Sequence, residues 1–212
     1  MLGCGGLELT AARPASGPRP MKTIAPFLVA LVALAGGLQA QPYVMLSTGS
    51  ANYSSPTIGS QTKRRNALSV GYALNAGITI EAAYFQIQEA NYAPDLNFAP
   101  GQVPSSYTVQ AREKKSGYVV GPVFRWKVVE QLTVFTKQSL ATIRTDAAAV
   151  SNTGATTNWS YSDWGYQPSI GAQLQPLKDS PLGLGLELSF LLTDRNRIKR
   201  LTTLGLNLSY GF

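Results

Sequence analysis

The chain has 212 residues, enough for one domain or two small ones, with 44% hydrophobic side chains but only 14% charged, well below the ~25% typical of soluble domains. It contains no histidine and a single cysteine, Cys4. That excludes histidine-based triads, histidine metal sites and any disulfide within the chain. The net charge of +7 would point to nucleic acid if it gathered on a helix or along a groove. The basic residues instead fall in short clusters between alternating segments, and no nucleic-acid partner is expected.

Residues 1–20, with their Pro, Gly and Arg, precede Met21 and read as an upstream extension. Met21 to Ala40 reads as a secretory signal peptide: Lys22 supplies the positive start, Ile24 to Ala35 the apolar run, and small residues lead to a cut after Ala40. Leu38 stands where Ala is more usual. The run is short of the ~20 apolar residues a spanning helix needs. Cys4 has no apolar run before it and is not read as a lipid-attachment site. The mature chain would run from Gln41 to Phe212.

Strands follow in order. Tyr43 to Thr48 is a short first strand of open facing, and Gly49 to Asn66 a polar loop ending in Lys63, Arg64 and Arg65. Ala67 to Leu74 puts Leu68, Val70, Tyr72 and Leu74 on one face, and Asn75 to Gly77 is a tight turn. Ile78 to Glu89 puts Ile78, Ile80, Ala82 and Tyr84 outward and Thr79, Glu81, Ala83 and Phe85 inward. A long loop, Ala90 to about Lys115, precedes a strand over Ser116 to Trp126, where Pro122 predicts a bulge. Leu132 to Arg144 puts Leu132, Val134 and Leu140 outward and Phe135, Lys137 and Ser139 inward. A polar loop, Thr145 to Ser162, leads to a sixth strand over Asp163 to Gln175. The seventh carries Leu182, Leu184, Leu186, Leu188, Phe190 and Leu192 on one side and Gly183, Gly185, Glu187 and Ser189 on the other. After a charged loop, Asp194 to Arg200, the eighth alternates strictly: Leu204, Leu206, Leu208, Tyr210 and Phe212 against Thr203, Gly205, Asn207, Ser209 and Gly211.

The connections alternate long and short, which puts both termini and three short turns at one end. Such asymmetry belongs to an up-and-down barrel in a membrane. The aromatics agree. Tyr72, Phe124, Trp126, Tyr210 and Phe212 face outward at the turn end, and Tyr84, Tyr118, Tyr166 and Phe190 face outward toward the loops. Two aromatic rings around an aliphatic band suit the two interfaces of a bilayer. A soluble lipocalin-like barrel or a sandwich would bury its aromatics mid-strand. The expected fold is all-β, an eight-stranded antiparallel transmembrane β-barrel over residues 41–212.

This pattern resembles the small eight-stranded outer-membrane proteins of the OmpA/OmpX type. The resemblance implies a bacterial outer-membrane location, a monomer, and a closing strand with Tyr210 and Phe212 that the barrel-assembly machinery recognises. The peptidoglycan-binding domain of larger members is not expected.

Within such a barrel Glu81, Arg125, Lys137 and Glu187 would point inward and pair, since a lone buried charge is very costly. Eight strands leave an interior that side chains fill. A filled lumen offers no substrate cleft, and the enzymes among outer-membrane barrels generally rely on a histidine, so catalysis, cofactor and metal are not expected. Outside, Lys63, Arg64 and Arg65 would meet Arg195, Arg197, Lys199 and Arg200 across the closure of strand eight on strand one, forming a basic patch for lipopolysaccharide phosphates. Tyr92, Phe98, Tyr107, Trp159 and Tyr161 would decorate the middle loops. The expected role is structural or surface interaction through the loops. The alternative is a narrow gated pore, and behind it a periplasmic binding barrel.

Overall fold

The computed structural model describes residues 42–55, 59–93, 108–177, 180–193 and 200–212. The upstream extension and signal peptide lie outside these residues, as do Phe98, Tyr107, Arg195, Arg197 and Lys199. The described residues form eight strands: β1 (Pro42–Ser55), β2 (Gly59–Ala73), β3 (Ile78–Tyr92), β4 (Val109–Val129), β5 (Leu132–Ser151), β6 (Thr156–Leu174), β7 (Leu182–Thr193) and β8 (Arg200–Gly211). Each pairs antiparallel with its neighbour in the chain, and β8 returns to pair with β1, closing a barrel. Closure leaves no free edge in the ring, which a sheet in lipid requires.

The alternation that builds the strands also sorts them by face. Outward leucines are open, with Leu206 62% exposed, whereas the inward Thr203 is 4% exposed. Apolar side chains outside and small polar ones inside invert the soluble pattern. The facing of β1, open in the sequence, is now settled: Val44 and Leu46 point out, and Tyr43, Met45, Ala51 and Tyr53 point in. Aromatics ring the turn end as expected, with Tyr210 and Phe212 edge to face at 5.0 Å. At the other end Tyr84 and Tyr118 lie 5.2 Å apart, joined by Trp164 and Tyr166. Both termini of the barrel meet at the turn end, where the Phe212 N–H donates to the Pro42 carbonyl at 3.0 Å.

The short turns are built locally. Asn75 Oδ1 accepts from the Gly77 and Ile78 N–H groups at 2.9 Å each, an Asx turn that joins β2 to β3. At the outer end Gly154, at φ 83°, turns β5 into β6, and Ser151 Oγ accepts from the Ala155 N–H at 3.1 Å.

Several expected loops are strands. Residues 145–162 are paired nearly throughout, Thr145 with Tyr161 and Ala147 with Trp159, leaving a four-residue turn. Gly49 to Ser55 and Gly59 to Asn66 are likewise the upper parts of β1 and β2, with Arg64 opposite Ser50. The cause is a change of solvent. Beyond the apolar belt the outward positions are Thr48, Asn66, Gln86, Ser116, Arg144 and Ser162. Polar side chains there erase the hydrophobic alternation without ending the strand. Pro122 makes no bulge: it pairs with Ile80, and the register to β5 is the same on either side of it. The register shifts lie between Ile87 and Ala90 and between Lys127 and Val129.

Candidate functional site: the layered lumen and the rim

The lumen is stacked in three layers. In the half nearer the turns, Lys137 on β5 reaches across to Glu81 on β3 at 2.7 Å and Glu187 on β7 at 2.8 Å. The Tyr43 hydroxyl donates to Glu81 Oε2 at 2.5 Å, and Asn207 Nδ2 donates to Glu187 Oε2 at 3.2 Å. Ser47 in turn donates to Asn207 Oδ1. Both oxygens of Glu81 and Oε2 of Glu187 thus have donors, which an ion pair in a low-dielectric interior needs.

Three of the four expected network residues are brought together; Arg125 is not. Arg125 Nη1 donates to Gln173 Oε1 at 2.9 Å, and its guanidinium lies over the rings of Tyr43 and Phe135 at 4.9 and 5.7 Å. It faces the mouth of the barrel at the turn end, a basin of about 640 Å³ bounded by Thr79, Arg125, Gln173 and Ser209 among others. The second cation of the network is Arg65. Its guanidinium lies 4.7 Å over the Phe85 ring, within electrostatic reach of Glu187 and Glu81 but in no ion pair with either. Two acids and two bases leave this layer neutral. Arg65 was hidden in a basic triplet that reads as loop; strand parity sends 63 and 65 inward and 64 outward. Space beside Lys137 is about 20 Å³, room for about one water.

Above the charges lies an apolar layer the sequence reading missed. Tyr53, Phe85, Ile87, Ala141, Ile143, Leu191 and Leu201 are buried together with Ala51 and Ala90. Gly117 makes room for it, since a Cβ there would run into the Phe85 ring and the Thr142 carbonyl. The available signal was an apolar residue at successive inward positions of one strand, as at Ala141 and Ile143.

The third layer is polar again. Glu113 and Lys115 form a buried ion pair, and Lys115 Nζ lies 4.9 Å over the Tyr53 ring and 3.5 Å from Thr145 Oγ1. The Tyr161 hydroxyl donates to Glu113 Oε1 at 3.4 Å. Asp163, 2% exposed, lies within electrostatic reach of Lys115. Tyr92, Trp159 and Tyr161, expected on loops, belong to strands β3 and β6.

Of the expected basic patch, only Lys63, Arg64 and Arg65 have side chains among the described residues, and these three do not share one face. Lys63 and Arg65 take inward positions and only Arg64 points out, donating to Thr48 Oγ1 at 3.2 Å. Arg200 opens β8, its backbone paired with Ser54. Among the described residues, the outward basic side chains beyond the belt are Arg64, Arg112, Lys114 and Arg144, the last paired with Asp146 at 2.9 Å.

No protein-family model matches the chain, and no curated protein sequence matches it. Solved structures do match. The attachment invasion locus protein Ail of Yersinia pestis, in complex with the heparin analogue sucrose octasulfate, aligns over 82% of this chain and 100% of its own, at 15% identity and a TM-score of 0.57. Neisserial surface protein A aligns over the same shares at 16% identity and a TM-score of 0.55. This chain is thus similar to them in fold. Its apolar belt, its aromatic rings and its closed eight-stranded ladder are those of the small β-barrels that span bacterial outer membranes.

Proposed function

We propose that this barrel acts without catalysis, in envelope structure or surface interaction, through the parts of its wall that stand outside the bilayer. The observation that carries this is where the chain invests its length. Strands β4, β5 and β6 have 21, 20 and 19 residues, about twice the 9–11 that cross a membrane. Their outer portions project a polar, basic sheet from the belt. The lumen below is blocked by a neutral charge layer and an apolar layer, which disfavours the pore reading.

The ligand class that fits the projecting sheet is a polyanion, and the nearest one is lipopolysaccharide phosphate. Arg112, Lys114 and Arg144 lie on the outward faces of adjoining strands, with Arg64 on β2. Guanidinium groups recognise phosphate bidentately. The Ail complex with sucrose octasulfate supports the same chemistry on this fold. Neutralising Arg64, Arg112, Lys114 and Arg144 together is expected to lower lipopolysaccharide co-purification; an unchanged amount rejects this ligand. In planar bilayers the protein is expected to stay silent. Discrete openings that change when Glu81 or Lys137 is neutralised would replace this reading with the gated pore. The assembly role of the closing strand is a further part of the proposal: Phe212→Ala is expected to slow accumulation of the folded barrel, read as the fraction that shifts on heating in SDS.

A further inference from the structure

The lipid-facing surface has one anomaly. On β7, β8 and the inner half of β1 the outward positions of the belt are Leu182, Leu184, Leu186, Leu188, Leu204, Leu206, Leu208, Val44 and Leu46. On β5 they are Leu132, Val134, Thr136, Gln138, Leu140 and Thr142. Gln138 sits mid-belt. Below it, Thr136 is opposite Phe124 of the turn-end ring, and above it Thr142 is opposite Tyr118 and Trp164 of the outer ring. Its side chain is exposed, and no side chain or backbone group of the described residues bonds its amide. A threonine hydroxyl can return its bond to its own strand; a glutamine amide in hydrocarbon has nothing to bond, at considerable cost.

The backbone around it is also unusual. Gln138 pairs with Pro168 on β6, and the register on either side places Pro122 of β4 opposite it. The pairing of β4 with β5 lapses at Gly121 and Pro122, and that of β6 with β7 lapses at Gln167 and Pro168. Proline has no N–H to complete a ladder. The amide therefore stands on a patch flanked by two rigid, low rings, with Val120, Leu140 and Ile170 open around it.

We propose that this face of β4, β5 and β6 is the interface of a homodimer within the membrane, with Gln138 of one copy hydrogen-bonded to Gln138 of the other. The argument for a second copy is the chemistry of the group. A primary amide carries a donor and an acceptor side by side, so it is complementary to itself across a two-fold axis, and a two-fold interface brings the same residue of each protomer together. Acyl chains offer neither donor nor acceptor, and headgroups lie at the interfaces, beyond the reach of a mid-belt side chain. Polar side chains are a recognised glue between spans in lipid. The flat proline rings let the two walls approach closely enough for the amides to meet. This replaces the monomer expected from the sequence, and it rests on the spanning fold, independently of what the projecting sheet binds.

The test uses residues 41–212, which contain no cysteine, folded in detergent, in phospholipid vesicles, and expressed in the intact envelope. Gln138→Cys under mild oxidation is expected to give a covalent dimer. Leu46→Cys, on the opposite wall and 56% exposed, is expected to give none. Sedimentation across a range of protein-to-detergent ratios should show a reversible dimer whose dissociation constant rises about tenfold in Gln138→Leu. The heat-dependent gel shift of that variant should persist, which separates loss of the dimer from loss of the fold. Three results overturn the proposal: a monomer at every ratio, equal cross-linking at positions 46 and 138, or cross-linking of Gln138→Cys to a different protein in the envelope.

Discussion

The two sides of this barrel solve different problems. The wall of β7 and β8 is made of strands of 12 residues each, which cross the belt and do little more. Its outward positions are almost all leucine, its inward ones Gly, Ser, Thr, Asn and Glu, with Leu191 and Leu201 where the apolar layer crosses. The wall of β4, β5 and β6 is nearly twice as long and meets three surroundings in turn: the turn-end interface, hydrocarbon, then the water outside. Its outward face changes accordingly, from Trp126 and Phe124 through Val120 to Ser116, Lys114 and Arg112. A strand is easiest to recognise when each face sees a single environment along its whole length, and the two walls differ in just that respect.

The same contrast accounts for what could be read in the residues. For β7 and β8 facing was legible and extent nearly so, because apolar and small polar positions alternate along each strand until Leu191 and Leu201 at the outer ends. For β4 to β6 the belt portion was legible and the rest lacks a strand's signature, since Asp146, Asn158, Ser160 and Ser162 are polar where a membrane strand is apolar. The inward residues of that outer part still alternate: Thr145, Ala147 and Asp163 are buried. Of the charge network, Glu81, Lys137 and Glu187 followed from parity on clear strands. Arg65 did not, because three consecutive basic residues mask parity. The apolar layer of Phe85, Ile143 and Leu191 escaped because the lumen was expected to be polar throughout.

The walls are tied together across the lumen, and cutting that tie should have the largest effect. Lys137→Met leaves the carboxylates of Glu81 on β3 and Glu187 on β7 buried without their shared cation. Removing one partner of a buried pair costs about 3–5 kcal/mol, to be read from urea unfolding in vesicles. Next comes the leucine wall itself. Leu206→Arg in mid-belt should cost about 2–4 kcal/mol, while Asn158→Arg, outward on β6 beyond the belt, should change stability by less than about 0.5 kcal/mol. Equal effects would mean that the long strands do not leave the bilayer. Gly117→Val, which drives a side chain into Phe85 and the Thr142 carbonyl, should cost about 1–3 kcal/mol, with little change at Gly205, where a Cβ finds ordinary room. The smallest effect belongs to the outward pair on the long wall: Arg144→Ala should cost about 0.5 kcal/mol or less, and 1 M salt should erase the difference.

Closure of β8 on β1 has a consequence for the order of events. In an open sheet, losing a border strand leaves a slightly narrower sheet with the same two borders. Here the ladder runs from Tyr43 opposite Gly211 to Ser54 opposite Arg200, and losing any strand creates two borders where there were none. The ring also has no intrinsic beginning. Position 42 touches position 212, so a chain joined there and opened at the turn around Gly154 would trace the same cylinder. In the natural order the joint spans nearly the whole length of the polypeptide, so β1 stays half-paired until β8 arrives. The barrel is finished by its longest-range contact, and until that step the lipid meets an unfinished seam.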